Sequence, residues 1–202
     1  MTISQIHPLS LRILAIPGSL RSHSYNRHLL EAGSRCAPAG MQVHIYDALG
    51  EVPMFDEDLE AATHGGPEAV FQLRAAVDAA DGLLIATPEY NQSFPGVLKN
   101  AIEWLSRSAP EEVLVGKPIA ITGASSGRWG TRLAQAALRH TLAATESIVM
   151  PAPMLFVGNA ESLFDTEGHL QDVSTLSSLR AFMSAFGQWI EHAGAKSLKG
   201  VA

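Results

Sequence analysis

The sequence predicts one α/β domain in which helices cover both faces of a doubly wound, three-layer, five-stranded parallel sheet. Short apolar runs and segments with helical periodicity alternate five times along the chain. The apolar runs lack strict polar alternation, as expected for strands that are buried on both faces. No linker, internal repeat or low-complexity tract divides the 202 residues, so residues 1–202 are expected to form a single domain.

The predicted strands are short and apolar. They are expected at residues 11–16, 42–46, 82–87 and 117–122, with a fifth within residues 147–157. Pro151 and Pro153 interrupt the fifth run. An acidic segment, residues 47–66, follows the second strand and is expected to be a long loop with room for a short helical turn.

Each predicted helix has one apolar face with helical spacing. Pro95 is placed to open the third helix, which runs through Arg107, and the fifth helix ends before Gly194. Cys36 is interpreted as a small buried hydrophobe and Trp104 as a core residue. In chain order, the apolar faces contain Leu29, Leu30, Gly33, Cys36 and Ala37; Val70, Leu73, Val77 and Ala80; Leu98, Ile102 and Leu105; Leu133, Ala137, Leu138 and Thr141; and Leu176, Leu179, Phe182, Met183, Phe186 and Ile190.

Composition and charge argue against several classes of protein. A formal net charge of −6 disfavours a nucleic-acid partner. The longest uncharged late stretch, residues 147–160, is too short and too interrupted by proline for a membrane span. The first ten residues show no signal peptide, and a lone cysteine favours a reducing compartment, so we expect a cytoplasmic protein. The eight histidines form no cluster with metal-ligand spacing, so no metal site is predicted.

The loops after the first, third and fourth strands are the candidate functional site, because doubly wound sheets bind ligands beyond the carboxyl ends of their strands. The first loop contains Ser19, Arg21, Ser24 and Asn26 before a helix. Hydroxyls, helix N-terminal amides and a guanidinium suit a phosphate monoester, although a plain capped turn is the alternative. The loop matches neither the P-loop nor the dinucleotide-binding fingerprint.

The other two loops have the composition of a site for a flat ring. Residues 87–96 alternate turn residues with aromatic rings and amides, which suits a heterocycle or simply a polar loop leading into a helix. Residues 122–130 contain three glycines that let the backbone approach a ligand closely. Their Thr-Gly-Ala-Ser-Ser-Gly run is similar to the cofactor turn of short-chain dehydrogenases. It follows the fourth strand rather than the first, however, and the chain lacks the Tyr-x-x-x-Lys pair of that family.

Together the three loops resemble the NAD(P)H-dependent FMN reductase family, a branch of the flavodoxin-like fold with strand order 2-1-3-4-5. The likeness covers about residues 11–142, and one small departure is Glu103, where many relatives carry Asp. The matching stretches are Gly18-Ser19-Leu20-Arg21-x-x-Ser24-x-Asn26; Pro88-Glu89-Tyr90-Asn91-x-Ser93-x-Pro95-Gly96-x-Leu98-Lys99-Asn100-x-Ile102-Glu103-Trp104; Gly116-Lys117-Pro118; and Gly123-Ala124-Ser125-x-Gly127-x-x-Gly130, followed by Gln135 and Leu138-Arg139.

The resemblance implies an enzyme that binds FMN, with NAD(P)H as co-substrate. A hydride would pass from nicotinamide to flavin N5 and on to quinones, azo compounds or similar small-molecule acceptors in a ping-pong cycle. No residue is predicted to be catalytic. The residues implied to bind the cofactor are Ser19, Arg21, Ser24 and Asn26 at the FMN phosphate, Leu20 and Tyr25 beside them, Pro88, Glu89, Tyr90 and Asn91 along the isoalloxazine, and Ser125 and Gly127 on its other side.

Several further expectations accompany this one. Glu89 is interpreted as a residue that positions the backbone and Glu103 as a charge on the helix surface, rather than as an acid–base pair. Relatives are usually dimers or tetramers, so a homodimer or homotetramer is expected to supply the second wall of the site. Trp129 would then cap the flavin or lie in the subunit interface. Arg107 and Arg128 are the candidates for the 2′-phosphate of NADPH.

Two other functions stay open on the sequence alone. A flavodoxin-type electron carrier would bind FMN without turning over NAD(P)H. A non-enzymatic α/β binding module would not take up FMN at all.

Overall fold

The computed structural model describes residues 10–108 and 112–197 of the chain. Most of the segment on which the signal-peptide expectation rests therefore lies outside the described residues. The strands are β1 (Leu11–Pro17), β2 (Met41–Ile45), β3 (Gly82–Ala86), β4 (Pro118–Ala124), β5 (Ile148–Val149) and β6 (Leu155–Val157). The helices are α1 (Tyr25–Arg35), α2 (Glu57–Ala62), α3 (Glu68–Asp78), α4 (Gly96–Leu105), α5 (Arg132–Ala143) and α6 (Val173–Ser197), with short 3₁₀ helices at Leu49–Glu51 and Ala160–Ser162.

The strands form one parallel sheet in the order β2-β1-β3-β4-β5, which confirms the predicted order. The fifth strand position differs from the prediction, because two short strands share it. β5 pairs with the start of β4 and β6 with its end. Pro151 and Pro153 lie between them, where a missing N–H would break the ladder.

Two apolar layers flank the sheet. Leu83 and Ile85 of β3 pack into the layer that includes residues of α3, α4 and α5, whereas Leu84 and Ala86 face α1 and α6. Successive strand residues point to opposite faces, so a strand buried on both sides must be apolar throughout. Trp104 is fully buried in the first layer, as predicted. The chain is therefore helix-covered on both faces.

Some local predictions were wrong. Leu133 is 45% exposed, because the buried face of α5 is one residue further on, at Ala134, Leu138 and Leu142. Cys36 is only partly buried, at the C-cap of α1.

The ends of several helices also differ from the prediction. α6 continues beyond Gly194, and α4 ends at Leu105, with Pro95 as its N-cap instead of its first residue. The acidic segment contains α2 in addition to a 3₁₀ turn. Among the described residues, no helix has the length and apolar character required to cross a membrane.

Candidate functional site

The loops after β1, β3 and β4 meet at the carboxyl edge of the sheet. The amide of Gly18 donates to the carbonyl of Ala86 at 2.8 Å, which joins the ends of β1 and β3. A Cβ at Gly123 would overlap the Thr131 hydroxyl and the Thr87 carbonyl, so the start of the third loop also packs tightly against its neighbours. The three predicted loops therefore form one continuous surface.

The first loop ends in a capped helix. The hydroxyl of Ser24 accepts from the amide of Asn26 at 3.3 Å and caps α1, whose first turn contains no acidic residue. Arg21 is exposed and forms no ion pair with the described carboxylates, and Ser19 accepts from its amide at 3.4 Å. This part of the loop thus offers hydroxyls and a free guanidinium at a helix N-terminus, the donor set that a phosphate requires.

Asn26 joins the first loop to the third. Its side-chain amide donates to the Ala124 carbonyl at 3.1 Å, and its side-chain oxygen accepts from the Ala124 amide at 2.9 Å. Asn26 is also buried. Because both ends of the side chain are bonded to backbone, its observed role is to hold the loops together. Its predicted contact with the cofactor phosphate stays a prediction.

A cleft of about 370 Å³ opens between the first loop and the residues after β2. On its wall, Arg27 donates to Asp47 at 2.5 Å, so this acid is neutralised. Tyr46 is 8% exposed, and its hydroxyl has no hydrogen-bond partner among the described residues. Burial and the nearby Glu51 raise the pKa of Tyr46 above its ordinary value of 10.0. Tyr46 lies outside the site predicted from the sequence, although its place at the end of the second predicted strand was a signal.

In the second loop, Glu89 supports another element. One of its carboxylate oxygens accepts from the amides of Leu133 at 2.8 Å and Ala134 at 3.0 Å. Glu89 thus caps α5, whose own N-cap residue makes no side-chain bond. This is the backbone-positioning role expected for Glu89, and it fixes the second loop against the helix that follows the third.

Beyond Glu89 the backbone makes a two-residue turn. Tyr90 and Ser93 exchange backbone hydrogen bonds at 2.9 and 3.0 Å, and Asn91 and Gln92 between them have φ values of 50° and 64°. Two successive residues with positive φ are typical of a type I′ turn, which Asn tolerates better than Gln. Tyr90 is 48% exposed, so the turn presents its ring and the Asn91 side chain at the edge of the site.

The third loop is held by its own hydrogen bonds. The hydroxyl of Ser125 lies 3.0 Å from the Gly130 carbonyl, and its amide donates to Val157 of β6 at 3.0 Å. A Cβ at Gly127 would meet only the Ser125 hydroxyl, at 3.7 Å, so the surface there is open. Trp129 is 58% exposed at the outer rim.

The structure places Arg107, a predicted candidate for the 2′-phosphate, away from the site. Arg107 follows the C-terminal end of α4, pairs with Glu60 at 2.9 Å and lies over the ring of Phe55. Because α4 runs antiparallel to the strands, this end lies at the opposite edge of the sheet. Glu103 pairs with Lys99 at 2.6 Å on the helix surface, as expected. The described residues contain no group of three or more acidic, His or Cys side chains arranged to hold a metal ion.

Comparison with known proteins identifies the family. A profile described as NADPH-dependent FMN reductase matches residues 11–162. The chain belongs to this family. The expectations of an enzyme and of an FMN-binding oxidoreductase with NAD(P)H as co-substrate are thereby confirmed.

Individual members of the FMN reductase family resemble the chain over most of its length. An NAD(P)H-dependent FMN reductase of Pseudomonas aeruginosa is 42% identical over 89% of this chain and 95% of its own. A quinone reductase of Escherichia coli is 37% identical over 90% of this chain and 96% of its own. The solved structure of FerB from Paracoccus denitrificans, a flavoenzyme NAD(P)H:(acceptor) oxidoreductase, superimposes with a TM-score of 0.82 at 33% identity, covering 91% and 98% of the two chains.

The residues present fit FMN as the family's cofactor. Ser19, Ser22 and Arg21 offer donors for a phosphate, and the adjoining cleft is lined by Tyr46, whose buried hydroxyl has no partner among the described residues. A Cβ at Gly18 would lie 3.3 Å from its neighbours, whereas the surface at Gly127 is open, so free space adjoins the third loop and not the packed backbone at Gly18.

Proposed function

We propose that this chain is an NAD(P)H-dependent quinone reductase that holds FMN at the carboxyl edge of its sheet and works by a ping-pong cycle. When bound, FMN supplies the two-electron chemistry, taking a hydride from the nicotinamide and passing the electrons to the acceptor. The chain's own residues bind, orient and shield the reactants, and none is assigned as an acid, base or nucleophile.

One observation carries this proposal: Asn26 and Glu89 hold the loops together and leave the phosphate donors free. Asn26 bonds to the backbone of Ala124, and Glu89 bonds to the start of α5. Arg21 remains without an ion-pair partner among the described residues. A free guanidinium beside a rigid loop and a helix N-terminus favours an anionic cofactor over a purely structural turn.

The ring end of the site is proposed to lie along residues 88–91, with residues 125–127 on the other side. Glu89 fixes the backbone of this segment, so its amides and carbonyls are set in place for hydrogen bonds to the edge of a heterocycle. The turn at Asn91 and Gln92 is held by two backbone bonds. Donors fixed in advance stabilise developing negative charge without having to reorganise.

The acceptor is proposed to be a flat, small molecule. Leu20, Tyr90 and Trp129 are exposed around the loops, and apolar or aromatic rims suit planar quinones. A rim of this kind does not select strongly by hydrogen bonding, so azo compounds are proposed as further acceptors. The quinone reductase of Escherichia coli supports the choice of quinones.

Two further proposals concern the setting of the reaction. The exposed apolar side chains of Leu20 and Tyr90 support a homodimer or homotetramer in which a second subunit forms the other wall of the site. The single cysteine supports a reducing compartment such as the cytoplasm.

The decisive experiment separates the two half-reactions. The protein is loaded with FMN, mixed anaerobically with NADPH or NADH, and the flavin absorbance is followed in a stopped-flow instrument. After removal of the nicotinamide, benzoquinone is added. Bleaching by nicotinamide alone and recovery with quinone alone are expected, together with parallel double-reciprocal plots in the steady state.

Other outcomes identify the alternatives. Full FMN occupancy without bleaching by either nicotinamide would indicate an electron carrier of flavodoxin type. Intersecting double-reciprocal plots would rule out the ping-pong cycle but not the activity. A protein that takes up no FMN would overturn the proposal.

A further inference from the structure

We propose that Arg128, Trp129 and Arg132 form a second binding site, which takes the adenosine 2′-phosphate end of NADPH. The inference rests on the proposed function, because it assigns one part of the co-substrate to residues at the rim of the same site. It makes these residues the determinants of preference for NADPH over NADH.

The three side chains form a compact cluster. The guanidinium carbons of Arg128 and Arg132 lie 4.3 and 4.9 Å from the centroid of the Trp129 ring. Cation–π contacts of this kind hold both guanidinium groups beside the indole. The indole itself is more than half exposed. An exposed cluster of one indole and two guanidinium groups stacked on it is therefore available to a ligand.

Neither arginine has an acidic partner. Among the described residues, Arg128 and Arg132 form no ion pair, whereas Lys99 and Arg107 are each paired with a glutamate. Arg21, which is proposed to hold the FMN phosphate, is a further arginine at the carboxyl edge without an ion pair among the described residues. The cluster therefore carries two positive charges that no described carboxylate neutralises.

The position of Arg132 strengthens this argument. It is the first residue of α5, where the helix dipole disfavours a cation. The acid that the loops bring to this end is Glu89, and its carboxylate is already bonded to the amides of Leu133 and Ala134. Helix stability therefore does not explain the placement of Arg132, but an anionic ligand would.

The backbone beneath the cluster is fixed. Gly127 accepts from the amide of Asn159 at 3.1 Å, and a Cβ at Gly158 would overlap the Arg128 carbonyl. Gly127 is one of the residues proposed to face the flavin, and Arg128 follows it directly. A dinucleotide with its nicotinamide over the ring must extend its adenosine end across the rim of the site. The cluster lies on that rim.

The chemistry of the cluster matches adenosine 2′-phosphate. A purine stacks on the exposed part of an indole or on a guanidinium plane held over it, a contact that tolerates any base. A phosphate monoester carries close to two negative charges at neutral pH, and guanidinium groups bind its oxygens in pairs. NADH presents a neutral hydroxyl at the same place. Two arginines therefore discriminate by charge, while the tryptophan contributes to both nucleotides.

The first test measures binding without turnover. Adenosine 2′,5′-bisphosphate and adenosine 5′-phosphate are titrated into the FMN-loaded protein by calorimetry. We expect the wild type to prefer the bisphosphate by about tenfold or more, and Arg128→Gln combined with Arg132→Gln to abolish the preference. Trp129→Leu is expected to weaken both ligands. Arg180→Gln, an exposed arginine of α6, is the matched control and keeps the preference.

The second test compares KM for NADPH and NADH with benzoquinone as acceptor. In the double arginine variant, KM for NADPH divided by KM for NADH is expected to be about tenfold higher than in the wild type. If the wild type turns over either nucleotide but the variant keeps the wild-type ratio, the inference is wrong and the proposed function stands. If neither nucleotide is oxidised while bisphosphate binding still depends on the arginines, the function is wrong and the anion site stands. A wild type that does not prefer the bisphosphate overturns the inference.

Discussion

Asn26 and Ala124 exchange two hydrogen bonds across a sequence separation of 98 residues. The contact joins the start of α1 to the end of β4, and both groups are buried. The side chain of Asn26 bonds to both the amide and the carbonyl of Ala124. It thus supplies the two hydrogen bonds that a neighbouring strand would otherwise make to this buried backbone. The geometry of the first and third loops therefore depends on a contact between one side chain and a backbone residue far away in the sequence.

Replacing Asn26 by Ala is expected to destabilise the FMN-free protein. The change leaves the buried amide and carbonyl of Ala124 without partners, at a cost of about 1–3 kcal/mol for each unsatisfied group. Urea unfolding followed by far-UV circular dichroism measures the loss. Gln188→Ala, on the exposed face of α6, is the control and is expected to change the free energy of unfolding by less than about 0.5 kcal/mol. An unchanged unfolding midpoint for Asn26→Ala would show that the contact does not stabilise the fold.

Replacing Arg21 by Ala is expected to weaken FMN binding while leaving the fold intact. Arg21 is exposed and unpaired among the described residues, so its removal costs no internal contact. A charge-assisted bond to phosphate is worth about 1.5–3 kcal/mol, which corresponds to a loss of affinity of about tenfold or more. Quenching of FMN fluorescence gives the affinity, with Arg35→Ala at the far end of α1 as the control. Equal affinities for the wild type and Arg21→Ala would remove Arg21 from the phosphate site.

Glu89 is expected to act through helix α5. Glu89→Ala leaves the first amides of this helix without an acceptor and is expected to lower the free energy of unfolding by about 1 kcal/mol. Glu89→Gln keeps an acceptor but loses the charge that favours the helix dipole, so a smaller loss is expected. Thermal unfolding of the FMN-free variants compares the two. If both variants unfold at the wild-type temperature, the hydrogen bonds of Glu89 to α5 do not contribute to the free energy of unfolding. Glu89 would then have to be tested as a ligand contact.

The buried Tyr46 hydroxyl leads to a prediction about alkaline pH. Burial raises its pKa in the folded state, so the unfolded chain ionises first. The free energy of unfolding is therefore unaffected by this group below about pH 10 and falls as the pH rises through the higher folded-state pKa of Tyr46. Tyr46→Phe is expected to lack this loss.

At neutral pH, Tyr46→Phe should be at least as stable as the wild type, because it removes an unpartnered buried hydroxyl. Urea unfolding between pH 8 and pH 11 measures both effects, with the exposed Tyr90→Phe for comparison. A neutral-pH destabilisation confined to Tyr46→Phe would mean that the hydroxyl has a bonding partner, such as an ordered water.

The strands of the sheet could be predicted because each one is marked by a short run of neighbouring residues in the sequence. Every residue of β3 is buried, so its uninterrupted apolar run has one interpretation, and prolines show where the last strand must break. The buried face of α5 could not be predicted from spacing alone. Leu133 looked like a core residue, but its helix begins beyond the sheet and is capped from another loop.

The residues of the candidate site likewise differ in whether local sequence is enough to predict their role. Arg21 and Ser19 are exposed donors in a short loop, and their chemistry is visible in the sequence. The structural roles of Asn26 and Glu89 depend on partners that only the fold brings near, at separations of 98 and 44 residues. Tyr46 was missed because its burial beside the first loop follows from the neighbouring positions of β1 and β2, not from any motif.

Asn26 and Glu89 hold the loops in place, whereas other side chains are exposed to ligands. In many sites the same side chains do both. Asn26 is buried and Glu89 is partly buried, whereas the side chains of Tyr90, Trp129, Arg21 and Arg128 are exposed. Substitutions at the rim can therefore change which molecules are admitted without dismantling the loops. Protein engineering could therefore change the preference for electron donor and acceptor by a few substitutions of exposed residues, without altering the residues that hold the loops.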